Sequence, residues 1–89
     1  MMIERPGYYK YGIPTIRGMM RAYIHIIEFK VFQDGENYCK FRIAYPLQDI
    51  DGNLDGYQID EYENERLNGR NFQPIDDEVI KTKLMLLGL

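Results

Sequence analysis

The chain of 89 residues has room for one domain. Its composition, 45% hydrophobic, 28% charged and 13% aromatic, excludes an intrinsically disordered polymer, which would be poorer in aromatic and β-branched residues. No stretch nears the roughly 20 apolar residues of a membrane span, and a net charge of −3 argues against a dedicated nucleic-acid binder.

The charge is unevenly spread. Through Tyr45 there are seven basic residues against four acidic ones, and from Pro46 onward four basic against ten acidic. The two halves share one core, so a dipolar surface is one expectation and scattered charge the other. The single Cys39 cannot form an internal disulfide. Met1 to Lys10 carries Glu4, Pro6 and Gly7 where a signal peptide needs an apolar run, so a cytoplasmic protein is expected.

Residues 1–14 are punctuated by Pro6, Gly7, Gly12 and Pro14, which predicts an irregular N-terminal arm or a short edge strand. A long hairpin follows, from about residue 19 to 45. Met20, Ala22, Ile24 and Ile26 alternate with Arg21 and His25, and then the phase flips to Ile27, Phe29 and Val31. A strand keeps one face inward only if its period of two is unbroken, so a β-bulge or bend is predicted near Ile26–Ile27. On the returning strand Cys39, Phe41, Ile43 and Tyr45 share a face opposite Lys40 and Arg42. A three-residue loop, Gln33-Asp34-Gly35, then pairs Phe29 with Cys39, Glu28 with Lys40 and Ile27 with Phe41.

Residues 48–56 read as a turn-rich loop, with a short apolar contact after it at Tyr57 and Ile59. Residues 60–68 suit either a short helix opened by Asp60 and Glu63 or a hairpin around Asn68–Gly69, with the helix preferred. Residues 77–87 fit equally a helix capped by Asp76 and closed by Gly88, or a strand alternating Ile80, Thr82, Leu84 and Leu86. The expected fold class is α+β: one small, mainly antiparallel β-sheet domain over residues 1–89, with at most one or two short helices in the second half.

Asp51-Gly-Asn53-Leu-Asp55-Gly56 matches the opening of a calcium loop, with oxygen ligands at positions one, three and five before a glycine. The twelfth position is Tyr62 rather than Glu, and Asp, Asn and Gly are also ordinary turn residues. Tyr8, Tyr9 and Tyr11, with Arg17 and Arg21, interleave aromatics with cations. Such a surface suits a protein partner, or nucleic acid or a nucleotide. The bland reading has the tyrosines covering a sheet. The acidic residues from Asp60 to Glu65 and from Asp76 to Glu78 read as a solvated face.

His25 is the only histidine, there is no serine, and no glycine-rich phosphate loop has the strand–turn–helix setting it needs. No enzyme activity and no cofactor are therefore expected. The leading expectation is a non-catalytic protein–protein interaction module, such as a small accessory or inhibitory protein of phage or mobile-element type, or an assembly subunit forming a homo-oligomer. Its contact residues would be Tyr8, Tyr9, Tyr11, Arg17 and Arg21. The alternative is a ligand-binding domain for nucleic acid or nucleotide through the same segment, or for calcium through Asp51, Asn53 and Asp55.

Overall fold

The structure, a computed structural model, describes residues 5–31, 37–65 and 71–89. Strands β1 (Gly7–Thr15), β2 (Gly18–Val31), β3 (Asn37–Gln48), β4 (Leu54–Glu65) and β5 (Gln73–Pro74) form one antiparallel sheet in the order β4-β3-β2-β1-β5. Helix α1 (Glu78–Leu87) follows. The antiparallel sheet with a short helix in the second half is the class that the sequence indicates.

From Gly7 the opening segment is a strand, the second of its two expected forms; residues 1–4 lie outside the described residues. Residues Gly7 to Thr15 pair one for one with Ile26 to Gly18. The Tyr8 carbonyl accepts from the Ile75 amide on the β5 side, so alternation turns the main-chain groups of Lys10, Gly12 and Pro14 away from β2. Pro14 therefore costs the β1–β2 ladder no donor. A Cβ at Gly12 would lie 2.5 Å from the methyl that ends the exposed Met19 side chain, so Met19 packs over this position. A two-residue connection, Ile16–Arg17, closes this hairpin. The Thr15 hydroxyl donates to the Gly18 carbonyl at 2.6 Å and accepts from the Arg17 amide at 3.2 Å.

The β2–β3 pairing has Glu28 opposite Lys40 and Phe29 opposite Cys39, then shifts between Glu28 and Ile26, which faces Phe41. The expected bulge is thus present, and Ile27 is its extra residue. It also overturns the expected Ile27–Phe41 pair, since an extra residue moves the next partner along by one. The loop that fixes this register lies outside the described residues.

Residues 60–65 continue β4, although their local signals favour a short helix; residues 66–68 lie outside the described residues. Cross-strand partners outweigh the local capping signal: Phe41 and Tyr62 stack at 5.2 Å, and Glu61 and Glu63 reach Arg42 and Lys40 at 3.9 and 3.3 Å. These pairs are exposed and worth little each, but they place opposite charges on neighbouring strands. Gly56, at φ +89°, sits in a second bulge on β4, where Pro46 opposite Tyr57 gives way to Gln48 opposite Leu54.

Residues 78–87 are helical, and the cap is Asp77 rather than Asp76. Its carboxylate accepts from the Val79 and Ile80 amides at 2.8 and 3.2 Å. Gly88 takes φ +110°, and the Leu89 amide returns to the Leu84 carbonyl at 2.9 Å, a closing turn that brings two buried leucines together. Asp77→Ala is expected to lower stability by about 1 kcal/mol. Asp76→Ala should leave it unchanged, and urea denaturation of the two variants separates them.

Both sheet faces are buried. On one, Tyr9, Tyr11, Ala22, Ile24, Ile26, Cys39, Phe41 and Ile43 pack with Phe72. On the other, Tyr8 and Ala44 pack with Ile75, Leu84 and Leu89, flanked by Tyr23, Tyr57 and Ile59. Ile24 and Ile26 are wholly inaccessible.

Candidate functional site at the forked end of the sheet

The β2–β3 ladder stops at Tyr23 opposite Ala44, although both strands run on. The cause is Pro46. In β3 the residues whose main chain points to β2 include Arg42 and Ala44, and Pro46 is next in that alternation. It has no N–H to offer at the position facing Arg21, so the ladder ends. Beyond it the sheet divides into two arms, the β1–β2 hairpin ending at Ile16–Arg17 and the β3–β4 hairpin ending at residues 49–53.

The arms meet again at their tips. Gly52, at φ +84°, is buried beneath Arg17, whose Cγ would stand 3.0 Å from a Cβ placed there. Asp49 holds this second tip: its carboxylate accepts from the amides of Asp51 and Asn53, both at 2.9 Å. Two adjoining depressions open here, one between the arms and one across β1 towards β5. One, of about 610 Å³, lies between the arms against Ile13, Met20, Tyr45 and Leu47. The other, of about 720 Å³, shares Ile13, Pro14 and Tyr45 and reaches Lys10, Arg21 and Gln73.

Large apolar side chains stand in solvent around this end. Ile16 is 94% exposed and Ile50 101%, with Met19, Tyr45, Leu47 and Leu54 also exposed. A cluster of this kind at one end marks an interaction surface far better than scattered single residues do. Among the described residues no carboxylate pairs with Lys10, Arg17 or Arg21, whereas Lys30, Lys40, Arg42 and Lys81 each reach a glutamate. Apart from Arg5, the basic residues of the first half thus resolve into a group on β2 and β3 that reaches glutamates and a group on the β1–β2 arm that does not.

The expected contact residues separate. Tyr8, Tyr9 and Tyr11 are buried and do not form an outer aromatic surface, which is a correction to their expected role. Tyr8 stacks on His25 at 4.1 Å, the Tyr9 hydroxyl donates to the Arg5 carbonyl at 2.8 Å, and Tyr11 meets Phe72 edge-on at 5.2 Å. Alternation in β1 sends Tyr9 and Tyr11 into one core and Tyr8 into the other. Arg17 and Arg21 do lie at the fork. The apolar residues there were missed by sequence reasoning. The readable signal was an isoleucine inside a turn string, Gln48-Asp49-Ile50-Asp51-Gly52, where no strand face exists to bury it.

The three residues of the calcium reading lie along the β3–β4 hairpin. Asp51 and Asn53 flank the Asp49 turn as exposed residues, Asp55 lies in β4, and no group of three or more His, Cys, Asp or Glu side chains converges among the described residues. His25 sits half-buried with Nδ1 2.8 Å from the Leu89 main-chain oxygen. Burial pushes the Cys39 thiol above its ordinary range, which keeps it protonated; burial, with Tyr23 close by, does the same to the Tyr57 hydroxyl. No helix among the described residues is long and apolar enough to cross a membrane. The chain matches no family model, no curated protein and no solved structure.

Proposed function

We propose that this chain is a non-catalytic interaction module that binds a protein partner through the forked end of its sheet, as a small accessory or inhibitory protein or an assembly subunit. One observation carries the reading: six large apolar side chains, Ile16, Met19, Tyr45, Leu47, Ile50 and Leu54, stand exposed around two hairpin tips. Leaving them in water sacrifices about 25 cal/mol per Å² of burial, a cost that a partner recovers.

The arrangement of ionisable groups favours binding over chemistry. Asp49 and Asp77 hold a turn and a cap, Glu61 and Glu63 face cations across the sheet, and the buried Cys39 thiol is a poor nucleophile. A buried, unbridged cysteine also suits work in a reducing compartment. The nucleic-acid reading loses its stacking platform, because Tyr8, Tyr9 and Tyr11 face inward.

Photo-crosslinking in the source cells tests the proposal. A benzophenone amino acid at position 16 or 50 is expected to give a protein adduct, and the same group at position 61 is not. Adducts absent at both tips, or equally strong at all three positions, would remove the reading.

A further inference from the structure

We propose that the partner docks in the fork as an extended strand whose side chains alternate apolar and acidic, pairing with the edge of β2 that the ladder leaves open beyond Tyr23; this rests on the binding reading above. The first support is main-chain geometry. In β2 the residues opposite Tyr9 and Tyr11 direct their peptide groups to β1, so Met19, Arg21 and Tyr23 direct theirs to β3. The ladder with β3 stops at Tyr23, leaving the groups of Met19 and Arg21 facing the fork outside any ladder. Such an edge recognises another backbone through main-chain hydrogen bonds.

The second support is that the two faces of the fork differ in chemistry. On the face carrying Ile24 and Phe41, alternation adds Ile13, Met20, Tyr45 and Leu47, which line the depression between the arms. On the opposite face it places Lys10 and Arg21, with Met19 over Gly12. Among the described residues neither depression is lined by a carboxylate, and none pairs with Lys10, Arg17 or Arg21. A strand lying there would show one face to apolar side chains and the other to cations. Its own period of two must then be apolar on one side and carboxylate on the other.

The full chain, labelled with ¹⁵N, is titrated with an acetylated hexapeptide alternating Glu and Val, with its Lys–Val counterpart, with a Glu–Val copy N-methylated along one edge, and with phosphatidylserine vesicles. The Glu–Val peptide is expected to bind saturably and to shift the Met19 and Arg21 amides most. Charge reversal and N-methylation should each weaken binding by about tenfold or more. The exposed Arg21→Glu variant, checked for an unchanged melting temperature, should lose the Glu–Val peptide and gain the Lys–Val one. Equal binding of both charges, indifference to N-methylation, binding to vesicles alone, or no binding at all overturns the strand proposal. Persistent crosslinks from positions 16 and 50 in those cases would leave the broader binding reading standing, and their absence would remove both.

Discussion

Phe72→Ala is expected to destabilise the protein by about 3–5 kcal/mol, the range for removing a buried aromatic ring and leaving a cavity. Phe72 is 2% exposed and meets Tyr11 edge-on, and among the described residues it is the one member of its core cluster from outside the four long strands. With its ring gone, the inner face of β1 and β2 loses its cover and the edge contact to Tyr11 together. A domain of this size commands only about 5–15 kcal/mol in total, so the variant should stand close to unfolding at room temperature. Urea denaturation followed by tyrosine fluorescence measures it. A loss below about 1 kcal/mol would show that the sheet buries this face without help. Phe72→Leu, which keeps most of the volume, should restore much of the difference.

Leu84→Ala should act differently, by releasing the helix while the sheet persists. Leu84 is the only buried residue of α1, and Val79, Met85 and Leu86 are exposed. A ten-residue helix does not hold itself together in water, so its order depends on docking. The truncation costs about 2–4 kcal/mol at the contact with Tyr8, Ala44 and Leu89. Hydrogen exchange at the amides of Thr82 to Leu87 should accelerate by about a hundredfold, at 1.4 kcal/mol per tenfold, with the β2 amides changing far less. Uniform acceleration would instead make the helix part of the global cooperative unit.

The part of the fold that could be read from residues alone was the part whose signals are local and redundant. In the central hairpin, charge opposition at Glu28 and Lys40 and the phase flip after Ile26 required a shared register and one extra residue, and both are found. The first strand was obscured by Pro14 and Gly12. Their cost depends on which way the main chain points and on where the Met19 methyl lies, neither visible along the chain. The acidic stretch from Asp60 carried a sound capping signal, but its carboxylates found Lys40 and Arg42 across the sheet, and tertiary partners outweighed propensity. For the candidate site, Arg17 and Arg21 were legible as surface cations. The three tyrosines beside them were not legible as core, because adjacent Tyr8 and Tyr9 point to opposite faces, and both are buried only where a sheet is covered on both sides.

The burial of Tyr8 against Leu84 and Leu89 has a consequence for how the chain reaches this state. Side chains nearly the whole sequence apart must meet before that face closes, and such distant contacts slow folding because loop entropy is lost before packing repays it. The tight β1–β2 connection can assemble early on its own. The segment that seals its underside must wait for the entire sheet, and until then Tyr8 and Ala44 remain open to chaperones or to a neighbouring copy.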